Sequence, residues 1–360
     1  MSKIIAIGTA LPPFKHEQED ILSFMKQLYA FNEQDHRKLR FLYRHSGIEH
    51  RYSFIPDYSR PLPDWKFYPH SESMEPFPSL EMRMQWFNRY APSLSLEAIR
   101  KCLDHKIKAE EITHLISVSC TGMSAPGLDL QVMELLDLPK HIFRTSVNFM
   151  GCYAAIHAMK LADHICRSTP DAKVLIFCTE LCTLHLQKEP TVDNLASSLL
   201  FGDGSAAALI TGDTHPAKGI RLDHFYAEVA PKGKKDMSWE LSSTGFQMTL
   251  SSYVPDLIEE DMAALVNRAL EAGKLHRDDI EHWCVHPGGR KILEAMEKSV
   301  HINPAQLNNS YRVLQQNGNM SSATILFVLK EWLYAKAGEH IFGVAFGPGL
   351  TMETFIGTTT

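Results

Sequence analysis

FGDGSAAALITG at residues 201–212 and FGPGLTMETFIG at residues 346–357 share one pattern: Phe-Gly-x-Gly, seven residues, then Gly. Both ends keep the same offset, since 346 − 201 = 145 and 357 − 212 = 145. A glycine turn that launches an apolar run, occurring twice at one spacing, reads as an internal duplication. TGDTHPAKG at 211–219 follows the first copy, and this polar break suits a boundary between halves. The chain therefore divides into an N-terminal half, 1–212, and a C-terminal half, 213–360.

Other short apolar runs surround these two. They fall at 4–7, 115–118, 174–177, 206–210, 283–285 and 341–346. Runs this short and continuous predict strands covered on both faces. Longer segments between them carry helical spacing. In 154–165, Ala155, Ala158, Met159 and Ala162 share one face; in 322–333, Ile325, Leu326, Leu329 and Leu333 do the same. Strands alternating with helices imply a layered α/β fold. Residues 53–78 break the rhythm. SFIPDYSRPLPDWKFYPHSESMEPFP is rich in Pro, Ser and aromatics and reads as a surface excursion or capping segment.

Composition narrows the class. With 360 residues, 44% of them hydrophobic, the chain can bury a substantial core. Its net charge of −6 argues against bulk attraction to nucleic acid. The N-terminal apolar run is too short for a signal segment or a span, so no membrane span and a cytoplasmic location are expected. Seven cysteines are scattered without a CxxC, which favours reduced thiols over a disulfide framework. Cys178 and Cys182 lack a second pair at zinc-ligand spacing, so no metal is expected.

Three residues stand out for chemistry. Cys152, in NFMGCYAA at 148–155, sits at the start of a predicted helix, where the helix dipole favours a thiolate. The alternative is a buried core cysteine. His286 ends an apolar run and precedes Pro287-Gly288-Gly289, the kind of strand end that faces a crevice in α/β folds. Asn319, in Asn317-Gly318-Asn319-Met320-Ser321-Ser322, precedes an apolar helix, where helix capping is the competing role. A nucleophilic cysteine, a histidine and an amide donor can form an acyl-transfer centre. Cysteine proteases use the same residue types, so the local motifs must decide.

Those motifs resemble the chalcone synthase family, the type III polyketide synthases of the thiolase fold. The resemblance rests on GCYAA around Cys152, LLFGDGSAAALI at 199–210, VHPGGRKIL at 285–293, GNMSSATILFVL at 318–329 and FGPGLTMET at 346–354. SCTGMSAPG at 119–127 fits less tightly. The resemblance implies a thiolase-like fold of two duplicated βαβαβ-type halves in an α/β/α/β/α arrangement. The N-terminal half would carry the nucleophile, the C-terminal half the histidine and asparagine. It implies a homodimer, and acyl-CoA starter and malonyl-CoA as substrates with no further cofactor. Cys152 would take the starter, while His286 and Asn319 would stabilise the enolate left by malonyl decarboxylation.

Further positions carry over by the same resemblance. Phe201 matches an aromatic gatekeeper. Met248 stands where the plant enzymes have a second gatekeeper Phe, and the flexible thioether implies a more permissive passage. Cys182 and His185 replace cavity threonines, which points away from a plant-like flavonoid product. Ser321 falls beside the substrate. Lys38, Arg40 and Arg44 lie in DHRKLRFLYR, which matches a CoA phosphate-binding segment, with Lys38 alone on a family basic position. Gly288 and Gly289 would face CoA. A ketoacyl-carrier-protein synthase of the same fold, performing one condensation, is the nearest alternative; GNMSSA with FGPGLT favours type III.

Overall fold

The computed structural model describes residues 1–29, 31–230, 237–251 and 254–360. Its strands are β1 (Ser2–Ala10), β2 (Phe14–Glu17), β3 (His50–Ser53), β4 (His114–Ser119), β5 (Phe143–Asn148), β6 (Lys173–Leu181), β7 (Asp203–Gly212), β8 (Ile220–Val229), β9 (Met237–Ser242), β10 (Gly245–Leu250), β11 (Ile280–Val285), β12 (His340–Gly347) and β13 (Thr351–Thr359). Its α-helices are α1 (Gln18–Tyr29), α2 (Glu33–Arg44), α3 (Leu80–Leu103), α4 (Leu128–Leu135), α5 (Ala154–Ser168), α6 (Val192–Leu200), α7 (Val254–Ala272), α8 (Arg290–Val300), α9 (Asn308–Asn317) and α10 (Thr324–Leu329).

Nine strands form one sheet in the order β11-β12-β13-β8-β1-β7-β6-β4-β5. The order mirrors itself about the β8–β1 seam. β7 lies antiparallel to β1 and β6, and β13 lies antiparallel to β8 and β12. Outside them, β4 runs parallel to β6 and β11 parallel to β12. The two FGxG turns open β7 and β13, which therefore occupy matching places. β5 extends the first half by one strand, parallel to β4.

The continuous apolar runs follow from burial on both faces. Along β6, Leu175, Phe177 and Leu181 pack in one cluster with Ala91, Leu94 and Ala98 of α3. Val174, Ile176 and Cys178 point the other way, into a cluster with Ala155, Ala158 and Ala162 of α5 and Ile325 and Leu329 of α10. In the second half, Phe342 and Val344 of β12 meet Leu265 of α7 and Leu293 of α8, while Ile341 and Ala345 face the central cluster. The layers run α3, first half-sheet, α5 with α10, second half-sheet, α7 with α8. That is the thiolase-like arrangement. Alanines on α5 let both half-sheets approach a central helix closely. Each fully buried Leu, Ile or Phe here adds about 1.5–3 kcal/mol relative to exposure.

Residues 53–78 are not a surface excursion. Ile55, Tyr58, Trp65, Phe67, Tyr68 and Met74 are all buried against α1 and α3. The Asp57 carboxylate accepts hydrogen bonds from the backbone N–H of Lys66, Phe67 and Tyr68 at 2.8–2.9 Å. Buried donors of a proline-rich stretch need such an acceptor, because no strand or helix partner serves them. The aromatic residues, not the prolines, decided the outcome.

Candidate active site

A cavity of about 730 Å³ opens inside the first half and reaches the second. Cys152, His286, Asn319, Ser321, Phe201, Met248, Cys182, His185, Gly288 and Gly289 all line it. The three chemical residues come from three junctions. Cys152 lies between β5 and α5, His286 directly after β11, and Asn319 between α9 and α10.

The nucleophile loop is held in an uncommon shape. Phe149 and Gly151 both have left-handed φ, +59° and +81°. A Cβ on Gly151 would lie 2.2 Å from Cδ of Pro348, so the FGPG turn of the second half leaves room only for glycine beside Cys152. The Gly151 N–H reaches Cys120 Sγ at 3.0 Å. Ser321, across the cavity, also has left-handed φ, +48°, and its Oγ lies 3.7 Å from Cys152 Sγ. Non-glycine residues in that region cost about 1–3 kcal/mol each and gather at functional sites.

Asn319 is fixed on every side. Its Oδ1 accepts from the Ser321 N–H at 2.8 Å, and its Nδ2 donates to the Gly288 carbonyl at 3.3 Å. The backbone of Asn319 bridges Phe201: Asn319 N–H donates to Leu200 O at 2.8 Å, and Gly202 N–H to Asn319 O at 3.0 Å. Capping by the Asn319 side chain is therefore local to Ser321, while its amide group stays at the cavity wall. His286 is 1% exposed, and neither ring nitrogen has a hydrogen-bond partner among the described residues.

Burial governs the charge states. It pushes the Cys152 thiol up to about 11, opposed in part by hydrogen bonds to Ser321 and Asn319 and reinforced by Glu180. It brings the His286 imidazole down to about 3. This burial opposes the helix-start expectation of a ready thiolate. Cys152 lies two residues ahead of α5, and desolvation of the sulfur outweighs the helix end. Burial pushes both groups in the direction of thiol and neutral imidazole.

Other carried-over positions divide. Met248 on β10 and Phe201 both line the cavity. His185 stacks on Phe246 at 4.2 Å, and burial lowers its imidazole to about 3. Burial also raises the Cys182 thiol. Lys38 lines the mouth, with its Nζ 2.9 Å from Asp35 Oδ1. Arg40 and Arg44 do not reach the cavity; Arg44 Nη2 lies 3.5 Å from Glu19 Oε1 instead. Helical periodicity explains this, because residues two apart point to different sides and only one face of α2 borders the mouth. Arg290 and Lys291 at the start of α8 join Lys38 on the lining.

Sequence reasoning missed several residues. Trp239 and Phe246, on β9 and β10, form one end of the cavity, and Trp239 Nε1 donates to the Cys120 carbonyl at 2.7 Å. Both strands carry a period-2 alternation, Met237, Trp239 and Leu241 on one and Phe246, Met248 and Leu250 on the other, so the signal was legible in the sequence. Glu180 was legible, being a lone acid in the apolar strand KVLIFCTEL. It is fully buried and accepts from Cys120 N–H at 3.0 Å, Thr121 Oγ1 at 2.8 Å and Ser322 Oγ. Desolvation pushes its carboxyl up to about 7.

A thiolase-like fold with a cysteine, a histidine and an asparagine on one buried cavity defines an acyltransferase of the condensing class. Residues 1–214 match the N-terminal domain of the chalcone and stilbene synthases, and residues 222–359 match their C-terminal domain. The chain belongs to the chalcone and stilbene synthase family and is a type III polyketide synthase. It is 28% identical over 368 residues to type III polyketide synthase C of Arabidopsis thaliana, covering 98% of this chain and 94% of that one. It is 32% identical over 281 residues to the alpha-pyrone synthesis polyketide synthase-like Pks18 of Mycobacterium tuberculosis, covering 75% and 71%. The type III polyketide synthase domain of Steely1 from Dictyostelium superposes with a TM-score of 0.92 at 26% identity, covering 99% of both chains.

Proposed function

We propose that Cys152 accepts an acyl group from an acyl-CoA starter and that the enzyme extends it with malonyl-CoA. The observation that carries this reading is the convergence of Cys152, His286 and Asn319 on one buried cavity from three separate junctions. The Cys152 thiol attacks the starter thioester while His286 takes its proton. The bond from carbonyl carbon to CoA sulfur breaks, CoA leaves as a thiolate that solvent protonates, and His286 keeps the thiol proton. Malonyl-CoA then binds with its thioester oxygen toward Asn319 Nδ2 and His286. Loss of carbon dioxide leaves an enolate there, and preorganised donors stabilise the developing charge. The enolate carbon attacks the acyl-Cys152 carbonyl, and Cys152 leaves as thiolate. The product is a 3-oxoacyl-CoA two carbons longer, ready for another round or for cyclisation.

A neutral imidazole supports this role for His286. It can accept the thiol proton and then donate from the nitrogen that gained it. CoA thioesters serve here as substrates, and no further cofactor is invoked. The β5 edge supports a homodimer. Phe143, on the outermost strand, is 70% exposed, and exposed sheet edges carrying large apolar groups invite pairing. No described helix is long and apolar enough to cross a membrane. Together with seven free cysteines, that fits a reducing, cytoplasmic setting.

The test is incubation with labelled malonyl-CoA and a panel of acyl-CoA starters, read by mass analysis. Wild type is expected to release carbon dioxide and give extended products. Cys152→Ala is expected to lose the acyl adduct and the products. His286→Ala and Asn319→Ala are expected to slow decarboxylation by about 10²–10³, the effect of losing one oxyanion donor. Wild-type rates of decarboxylation in both histidine and asparagine variants would reject the assignment.

A further inference from the structure

The end of the cavity walled by Trp239 and Phe246 carries a third ring, His185, on the turn Cys182–His185 that follows β6. Three contacts lock that ring. It stacks on Phe246 with centroids 4.2 Å apart and 11° between planes, meets Trp239 edge-on at 5.7 Å, and sets Nε2 2.7 Å from the Thr121 carbonyl oxygen. Arg83, which does not line the cavity, braces the turn. Its Nη1 donates to the carbonyls of Leu184 and Leu186, on either side of His185.

These contacts decide which nitrogen carries the proton. A carbonyl oxygen only accepts, so Nε2 is the N–H donor to Thr121. Burial pushes the ring toward its neutral form, which has one N–H and one lone pair. The lone pair therefore falls on Nδ1. Nothing among the described residues donates to it. Trp239 Nε1 is spent on the Cys120 carbonyl, and Gln187 Nε2 on the carbonyls of His185 and Phe246. Arg83 Nη2 also lacks a partner, and it does not come within hydrogen-bond distance of Nδ1. This end of the cavity thus holds a fixed, buried acceptor with no donor of its own.

We propose that His185 Nδ1 accepts a hydrogen bond from an enol hydroxyl of the extended chain, so that this end of the cavity selects the enolised form of a 1,3-dicarbonyl segment. The proposal rests on the malonyl extension above, because each added unit leaves one methylene between two carbonyls. A chain in the keto form offers oxygen acceptors only, and an acceptor set against the Nδ1 lone pair leaves both groups unsatisfied. Moving one methylene proton onto the neighbouring carbonyl oxygen gives an enol, whose O–H is the donor that this wall lacks. The enolised segment is also conjugated and flat, a shape that packs on the faces of Phe246 and Trp239. His185 acts here on specificity and takes no proton from the chain.

The test uses 5-methylresorcinol, a phenol that fixes the enol arrangement, and 3,5-dimethoxytoluene, the same ring with both hydroxyls methylated. Wild type is expected to bind the phenol about tenfold more tightly by calorimetry, the ratio that one net hydrogen bond supplies. His185→Phe keeps a ring for the stack and removes the acceptor, and it is expected to bind the two ligands alike. A second measurement reads the wild type alone. In nitrogen-15 NMR of histidine-labelled enzyme, the His185 Nδ1 resonance is expected to move to lower frequency on saturation with the phenol and to stay in place with the ether. Equal wild-type affinity for the two ligands would overturn the proposal. So would a preference that His185→Phe retains, or an Nδ1 resonance that the phenol leaves unmoved. Neither measurement needs turnover, so a failure to condense any acyl-CoA beside a retained preference would reject the extension reading while the acceptor site stands.

Discussion

Arg51 Nη1 donates to the carbonyl oxygen of Phe201 at 2.5 Å, and Arg51 Nε donates to Gln18 Oε1 at 3.1 Å. The Arg51 side chain also passes under Gly202 and Gly318; a Cβ on Gly318 would lie 2.8 Å from Arg51 Cδ. The buried Arg51 guanidinium thus bonds the Phe201 loop to Gln18 of α1, while its methylenes pack against Gly202 and Gly318. Arg51→Lys keeps the charge but offers one head for two acceptors in different directions. The expected outcome is a loss of about 1.5–3 kcal/mol of stability, the range for hydrogen bonds to charged groups. Thermal melting checks the stability, and kcat for one starter checks the loop positions. An unchanged melting temperature together with an unchanged kcat would show that Arg51 holds neither loop.

The charge state of Cys152 predicts its reactivity. A thiol held at about 11 is protonated throughout the neutral range. Iodoacetamide alkylation of Cys152 in the free enzyme is therefore expected to accelerate about tenfold per pH unit from pH 7 to 10. Peptide mass analysis separates it from the six buried cysteines. A rate already level at pH 7 would mean that a thiolate forms without substrate.

Glu180 predicts a pH-dependent stability. Its carboxyl is raised from 4.5 to about 7 in the folded chain. Between those values the folded state holds a proton that the unfolded state has lost. The contribution is complete below about 4.5 and disappears as the pH rises through about 7. His286 works in the other direction. Its folded value is depressed, so its contribution is present above 6.5 and is lost as the pH falls toward about 3. Glu180→Gln removes the first of these effects. Melting temperatures from pH 5 to 8 are expected to fall less steeply with rising pH in that variant than in wild type. Parallel curves would place the Glu180 carboxylate in its ordinary range.

The mouth predicts how CoA phosphates are recognised. Lys38 and Lys291 line it; Arg40 does not. Lys38→Gln with Lys291→Gln is expected to raise KM for malonyl-CoA severalfold with little change in kcat, because remote phosphate contacts bind substrate and transition state alike. Arg40→Gln is expected to match wild type. The wild-type KM is expected to rise with ionic strength. A larger KM effect from Arg40→Gln than from the lysine pair would place the phosphates on the outer face of α2.

Sequence alone determined a good deal here. The FGxG repeat at an offset of 145 located β7 and β13, because a glycine turn feeding a doubly buried strand is a local signal. The helical faces of 154–165 and 322–333 identified the two central helices for the same reason. The motifs around Cys152, His286 and Asn319 singled out those residues before any geometry was known. Other features depended on what packs against what. β5 was missed because five of its six residues are exposed and no apolar pattern marks it. Residues 53–78 were misread because the burial of their aromatic residues depends on α1 and α3 packing over them, with Asp57 serving the N–H groups of residues 66–68. Only the tertiary structure decides which way the Cys152 pKa is pushed. A pKa is set by the solvent and charges around an atom, and Glu180, Asn319 and Ser321 reach the sulfur from elements far along the chain. The same holds for the cavity, whose wall needs α1, α2 and α6 folded together before it exists.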